Sequence, residues 1–125
     1  MIDILPSLRE FMVTNGEISA LVEDRIIAFE FETIEGENSI NPKICYKSEG
    51  GNKGMQRYKF IVRSDGLLEA RNIAKVVCEE FTEKTFSLGK NISIEWVEQS
   101  SNFFDLRVKG TNEFETFFYL NFHIT

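Results

Sequence analysis

The segment QRYKFIVRSDGLLEARNIAKVVCEEF, residues 56–81, decides the fold because it joins the clearest strand of the chain to its clearest helix. Tyr58, Phe60 and Val62 alternate with polar residues, as on a strand with one buried face. From Asp65, which is placed to cap a helix, the apolar spacing becomes helical. The helical stripe is Leu67, Ala70, Ile73, Ala74, Val77, Cys78 and Phe81. A strand with one apolar face that leads into a helix with one apolar face predicts a sheet with helices packed on it.

A second amphipathic helix is predicted ahead of this segment. Apolar residues recur at helical spacing from Asp3, placed to cap the helix, to Thr14. Asn15 and Gly16 stop that helix, and residues 17–22 are able to add one further helical turn.

Two strands are predicted between these helices. RIIAFEF, residues 25–31, and PKICYK, residues 42–47, carry the apolar and β-branched residues typical of strands. The predicted core face of the first is Ile27, Phe29 and Phe31. The acidic stretch 32–41 is expected to be a loop, and SEGGNKG, residues 48–54, an exposed and mobile connection.

Three more strands are predicted after Gly89, with KGTNE, residues 109–113, as a hairpin turn between the last two. Their core-facing residues are Ile92, Ile94 and Trp96, then Phe104, Leu106 and Val108, then Phe118, Leu120, Phe122 and Ile124. The predicted order is helix, three strands, helix, three strands. This order predicts one α+β domain over residues 1–125, with a mostly antiparallel sheet of about six strands and two helices on one face.

Composition excludes several classes of protein. The chain is 42% hydrophobic and 27% charged, as expected for a globular domain, and no stretch is apolar enough for a membrane span or a signal peptide. We therefore expect a protein made and kept in the cytosol. The net charge of −6 argues against a protein that grips DNA phosphates. Cys45 and Cys78 have apolar neighbours and are expected to be buried free thiols.

Catalytic chemistry has little support in the sequence. His123 is the only histidine, and its alternation with apolar residues places it on the solvent side of the last strand. The acidic residues lack the spacing of a metal or acid–base site. GGNKG around Lys53 lacks the ending and the following helix of a phosphate-binding loop. We therefore predict no catalytic residue, no metal site, no cofactor and no enzymatic activity.

An exposed aromatic patch is the best candidate for a functional surface. Phe117 and Tyr119 point away from the core, because the other face of their strand already supplies the core residues. The same alternation along the strands predicts that three more side chains point away from the core: Ile61, Val97 and Phe103. A contiguous apolar patch on the surface is typical of a protein–protein contact.

The same outer face is expected to carry both signs of charge. Its basic residues are Arg57, Lys59 and Arg63 on one strand. Its acidic residues on other strands are Glu95, Asp105 and Glu115. Opposite charges on neighbouring strands attract, so the mixture favours cross-strand pairs over a basic binding patch.

Six stretches together resemble, in order, the tail-completion or tail-terminator family of long-tailed bacteriophages. They are IDILPSLREFM, ISALVEDRI, PKICY, YKFIVRSD, EARNIAKVV and FFYLNFHI. The matching family elements are an N-terminal amphipathic helix, an Asp-Arg-Ile strand start, a Pro-x-Ile-x-Tyr strand and an Ala-x-x-Ala helix, so the resemblance spans nearly the whole chain. These elements fall on Asp24, Arg25 and Ile26, on Pro42, Ile44 and Tyr46, and on Ala70 and Ala74.

The resemblance implies a structural virion protein of the tail or neck, assembled in the cytoplasm of the bacterial host. Such proteins cap the finished tail tube as a ring, usually hexameric, and present the surface to which the head connector docks. The implied partners are further copies of the chain, the tail tube protein and a head-completion or connector protein. DNA only passes through the ring, without sequence-specific binding, and no membrane is involved.

The chain departs from many relatives in the acidic stretch EFETIEGENSIN, residues 30–41, and in its Phe-rich C-terminus. We expect further assembly contacts around Glu35, Gly51 and Lys53, in the predicted loops. Two alternatives remain open. One is a head-side neck protein, either a head-closure protein or a connector adaptor. The other is a small ligand-binding domain with a deep polar pocket near Tyr46, Tyr58 and Arg57.

Overall fold

The computed structural model describes residues 4–29, 41–52, 54–82, 86–88 and 92–124. These ranges contain helices α1 Leu5–Thr14, α2 Gly16–Val22 and α3 Leu67–Thr82. Their strands are β1 Ile26–Ala28, β2 Lys43–Asn52, β3 Met55–Ser64, β4 Phe86–Leu88, β5 Ile92–Gln99, β6 Phe104–Arg107 and β7 Phe114–Ile124. None of the helices in these ranges is long and apolar enough to cross a membrane.

The strands form one mixed sheet in the order β1-β2-β3-β7-β5-β4, and β6 pairs with the first part of β7. The pair β1–β2 is parallel, and the other pairs are antiparallel. The predicted α+β fold, with a single, mostly antiparallel sheet, is confirmed. Residues 16–22 form a helix of their own, and β4 is a short strand that the sequence analysis did not predict.

The core lies between the sheet and the helices, as the segment 56–81 predicts. Phe60, Phe118 and Phe122 from the sheet are fully buried against Phe81 of α3. The ring centroids of Phe60 and Phe81 are 5.4 Å apart, within the range of favourable aromatic pairs. The buried residues of α3 are Ala70, Ile73, Ala74, Val77, Cys78 and Phe81, whereas Leu67 is 40% exposed.

Asn15 both ends α1 and begins α2. Its extended backbone interrupts the first helix, and its side-chain oxygen accepts hydrogen bonds from the backbone N–H groups of Glu17 and Ile18, at 3.0 Å each. Its amide nitrogen donates to Glu80 of α3 at 2.9 Å. The predicted stop after Thr14 is confirmed, and the same residue fixes the helical layer to α3. Asp3, the predicted cap of α1, lies outside the described residues.

The first strand is shorter than predicted and turns the other face to the core. Ile26 is buried opposite Ile44 of β2, whereas Phe29 is 59% exposed. The strand ends at Ala28 because Phe29 has a φ of 78°, which extended backbone does not allow. The predicted core face of Ile27, Phe29 and Phe31 was therefore wrong at Phe29, and Phe31 lies outside the described residues.

The glycine-rich stretch predicted as a loop is mostly strand. β2 continues to Asn52 and β3 starts at Met55, so the two strands meet in a tight hairpin. Gly50 and Gly51 have φ values of 97° and 130°, where the β2–β3 register shifts. A Cβ on Gly51 would lie 2.3 Å from the backbone oxygen of Met55, so this position excludes any side chain.

β5 departs from the predicted alternation because it contains a bulge. Its register with β7 shifts between Ile94 and Trp96, so the residues that follow point to the sheet face opposite to the one that simple alternation predicts. Val97 is 7% exposed and belongs to the core, whereas Trp96 is 50% exposed. The outward position predicted for Val97 and the inward position predicted for Trp96 were both wrong.

β6 also presents the face opposite to the one predicted. Phe104 lies opposite Phe117 of β7 and is 45% exposed. Phe103 packs against the core, with its ring centroid 5.2 Å from that of Phe118. Leu106, predicted to face the core, is 42% exposed. Because the two adjacent phenylalanines are chemically identical, the residue at which pairing begins determines which of them is buried.

The two cysteines behave as predicted. Cys45 and Cys78 are both buried and neither is in a disulfide. The Sγ atom of Cys78 lies 3.4 Å from Oε1 of Gln99.

Candidate functional site

The face of the sheet opposite the helices carries an aromatic cluster on three neighbouring strands. Strand pairing sets Phe117 of β7 between Ile61 of β3 and Phe104 of β6, and sets Tyr119 opposite Lys59. We call these five residues the outer patch. Phe104 is exposed, and the other four side chains are half-buried. The outward positions predicted for Phe117, Tyr119 and Ile61 are thus confirmed.

The outer patch is ordered by contacts among its own members. The rings of Phe104 and Phe117 stack with centroids 5.1 Å apart, and Phe117 meets the edge of Tyr119 at 6.3 Å. The Lys59 ammonium lies 4.3 Å from the centroid of Phe117 and 5.9 Å from that of Tyr119. Such cation–π contacts contribute about 0.5–1 kcal/mol at exposed sites. The patch is therefore prearranged in a single copy, which reduces the entropy lost when a partner binds.

Positive charge borders the outer patch on the β2 side. Lys47 lies directly opposite Lys59, an arrangement of like charges that is unfavourable unless a further group compensates it. Lys47 has Glu49 at 3.7 Å, whereas Lys59 makes no ion pair within the described ranges. Arg57, on the same face, donates to the side-chain oxygen of Asn121 at 2.9 Å rather than to a carboxylate. We call Lys47 and Arg57 the basic rim.

Three further charged residues of the sheet, Arg63, Glu115 and Asp105, form ion pairs. Arg63 and Glu115 lie opposite each other and form an ion pair of 2.7 Å, which confirms the predicted cross-strand pairing. Asp105 faces the helices and pairs with Arg71 of α3, contrary to its predicted outward position.

At the start of β2, the side chains on the outer face are buried from solvent. Cys45 lies opposite Ile61 in the register but is 1% exposed. Lys43, 4% exposed, forms an ion pair of 3.0 Å with Glu113. The accessible part of the face is therefore the region that β3, β7 and β6 share.

A second aromatic group extends the face along β5. The indole of Trp96 stacks on the ring of His123, with centroids 3.9 Å apart and planes 3° from parallel. The Nε2 atom of His123 lies 3.1 Å from Oε1 of Glu98, and Asn121 donates to the same oxygen at 3.2 Å. The hydrogen bond from His123, and then that from Asn121, holds the pKa of Glu98 below its ordinary value.

His123 therefore lies on the outer face, as predicted, and its polar contacts serve to fix the strand ends. The described residues hold no group of three or more His, Cys, Asp or Glu side chains arranged to bind a metal ion.

The residues predicted for the functional surface fall into three groups. Phe117, Tyr119 and Ile61 come together in the outer patch. Val97 and Phe103 instead contribute to the core, for the reasons given above. The third group comprises the predicted loop residues: Gly51 is exposed on the β2–β3 hairpin, and Glu35 and Lys53 lie outside the described residues.

Sequence reasoning missed two residues of the outer face, Trp96 and Phe104. Both were assigned to the core by simple alternation. A bulge and a shifted strand start reverse that alternation, and neither leaves a specific signal in this sequence. Lys59 was recognised as basic, but its position over aromatic rings depends on the β3–β7 register.

The polar groups that suggested a ligand pocket are bonded within the fold. The Tyr46 hydroxyl donates to the backbone oxygen of Leu5 at 2.8 Å, and the Tyr58 hydroxyl donates to Gln56 at 2.8 Å. A surface cavity of about 620 Å³ is lined by residues 107–112 of the β6–β7 turn. It lies on a single hairpin turn and not near Tyr46, Tyr58 and Arg57, where the alternative of a ligand-binding domain would have its pocket.

No family model and no curated protein sequence matches this chain. The fold is similar to that of a chain in a solved structure described as the virion of a native gene transfer agent (GTA) particle. The two chains superimpose with a TM-score of 0.68 over 94% of this chain and 90% of the other, at 10% sequence identity. At this identity the likeness shows a shared fold.

Proposed function

We propose that this protein is a structural, non-enzymatic subunit of a long-tailed phage virion. It caps the tail tube as a ring, usually hexameric in the family it resembles, and forms the tail-side surface for head–tail joining. The observation that carries the proposal is the outer patch, an ordered aromatic surface that none of the described helices covers. The likeness of nearly the whole fold to a virion chain supports the same conclusion, as does the sequence resemblance to tail-terminator proteins.

The composition of the outer patch suits a protein contact. Aromatic residues are enriched where protein interfaces are fully buried, and here three of them lie side by side with Ile61. Phe104 and Phe117 already stack, so a partner gains a flat apolar area without ordering these side chains. A stable contact buries roughly 1,200–2,000 Å² in total, so the patch forms the centre of a larger interface.

A ring that surrounds a DNA passage must not retain the DNA. The net charge of −6 meets this requirement, because a negative surface repels phosphates. The positive groups at the outer patch then serve contact with protein rather than with DNA. The proposed partners are accordingly further copies of the chain, the tail tube protein and a head-completion or connector protein.

Electron microscopy of the purified protein mixed with tail tubes tests the proposal, together with native mass spectrometry over a range of protein concentrations. We expect density that caps one end of the tube. The double substitution Phe117→Asp with Tyr119→Asp should abolish the cap, while the circular dichroism spectrum remains that of the folded protein. Phe29→Asp is the matched control, since Phe29 is 59% exposed and lies outside the outer patch.

A strict monomer that also fails to bind tail tubes would contradict the proposal. Binding to head connectors with no binding to tubes would instead assign the protein to the head side of the neck. Loss of the folded spectrum in the double variant would show that the outer patch supports the fold rather than an interface.

A further inference from the structure

The outer patch and its basic rim define the partner that fits them. The patch offers apolar area, and Lys59 lies over its rings without an ion pair within the described ranges. Lys47, which has Glu49 at 3.7 Å, and Arg57, which donates to Asn121, lie beside it. The complementary surface therefore combines exposed apolar side chains with carboxylates that lack a cation of their own.

The start of α3 has this combination. Leu68 is 75% exposed and its neighbour Leu67 is 40% exposed. Asp65 and Glu69 flank them, and both are exposed. Glu69 accepts a hydrogen bond from the Ser64 hydroxyl, which fixes its carboxylate without neutralising it. We call Asp65, Leu67, Leu68 and Glu69 the α3 knob.

The α3 knob keeps its negative charge. It contains no basic residue, and the two nearest in sequence, Arg63 and Arg71, are paired with Glu115 and Asp105.

The other exposed apolar residues of the helical side are a poorer match. Leu21 is 39% exposed and Phe29 is 59% exposed, but each is a single large apolar residue, whereas Leu67 and Leu68 are adjacent in sequence. The α3 knob therefore offers the larger apolar contact.

We propose that the outer patch of one copy binds the α3 knob of the next copy. The two surfaces lie on opposite layers of the fold, so one copy is unable to join its own patch to its own knob. A contact between two different surfaces, repeated by a closing rotation, generates a ring. The inference rests on the proposed ring function and identifies the surfaces that meet within it.

Mixing two variants tests this contact. The patch variant carries Phe117→Asp and Tyr119→Asp, and the knob variant carries Leu68→Lys, which replaces the most exposed of these leucines by a group that the basic rim repels. Each variant alone should stay monomeric at concentrations at least tenfold above those at which the wild type assembles. An equimolar mixture should form one-to-one heterodimers and nothing larger, because one intact patch and one intact knob remain.

Native mass spectrometry resolves these species by mass, and circular dichroism confirms that each variant is folded. The control is Phe29→Lys, which makes the same kind of change at another exposed apolar position and should assemble like the wild type. A knob variant that assembles like the wild type would overturn the inference, and so would a mixture that stays monomeric. In either case a wild type that caps tail tubes would leave the proposed function standing. A wild type that neither assembles nor binds tubes overturns both.

Discussion

The reversal of faces in β5 and β6 leads to a prediction that two matched substitutions test. Simple alternation places Val97 outside and Leu106 in the core, whereas the structure has Val97 7% exposed and Leu106 42% exposed. Both residues are aliphatic and both lie in strands that pair with β7. Val97→Asp and Leu106→Asp therefore make the same chemical change in two opposite environments.

The expected magnitudes differ severalfold. Val97→Asp forfeits nearly complete burial of an aliphatic side chain, about 1.5–3 kcal/mol, and leaves a buried polar group without a partner, about 1–3 kcal/mol more. The sum of about 2.5–6 kcal/mol is a large part of the roughly 5–15 kcal/mol that stabilises a typical domain. Leu106→Asp loses only a partial burial, about 1–2 kcal/mol, and its carboxylate stays in water.

Thermal unfolding followed by circular dichroism measures both effects. For a domain of this size, 1 kcal/mol shifts the Tm by about 3–6 °C, so Val97→Asp should lower the Tm by at least about 8 °C. The introduced carboxyl is buried, which raises its folded-state pKa above its unfolded value. Stability then falls as the pH rises from below the unfolded pKa through the folded pKa, so Val97→Asp should be less unstable at pH 4 than at pH 7. An equal or larger loss for Leu106→Asp would refute the reversed faces.

Three further substitutions test individual features. Gly51→Ala should destabilise the hairpin by about 1–3 kcal/mol in urea unfolding, because a Cβ meets the backbone oxygen of Met55 at 2.3 Å; an unchanged midpoint would contradict that contact. Asn15→Ala should cost about 1–2 kcal/mol, since it removes the cap of α2, and a loss below a few tenths would show that the cap is dispensable. The pKa of Glu98 is lowered through His123, so its stabilising effect is present above the unfolded value and lost as the pH falls through the folded one. Acid titration of Glu98→Gln should accordingly show a shallower loss of stability below about pH 4.5 than the wild type, and parallel curves would exclude the effect.

The elements that the sequence predicted well are those with unbroken periodicity. The burial of β3 alternates without interruption and α3 keeps one buried stripe from Ala70 to Phe81, so these buried faces follow from side-chain geometry alone. In β7, Phe118, Leu120 and Phe122 are fully buried for the same reason. The turn between β6 and β7 also forms where predicted, with Gly110 at a φ of 81°.

The elements predicted poorly are those in which one residue changes the register. A bulge in β5 reverses every face after Ile94, and an early end of β1 turns Phe29 to solvent. The β2–β3 hairpin was missed because a strand of glycine and polar residues has no apolar alternation to reveal it. Its formation depends on pairing with β3, which a local pattern does not contain.

The outer patch was predicted in part, since Phe117, Tyr119 and Ile61 were expected to face outward and Phe104 was not. β7 carries large apolar residues on both faces, with Phe118 and Leu120 inside and Phe117 and Tyr119 outside. A strand with two apolar faces needs two covering layers, as in the fully buried strands of parallel sheets. The described helices supply one layer, since their buried residues join the core on the side of Phe118. The sequence of β7 therefore favours a second covering layer, and under the proposed contact the positive charge of Lys59 is met by a partner surface that carries negative charge.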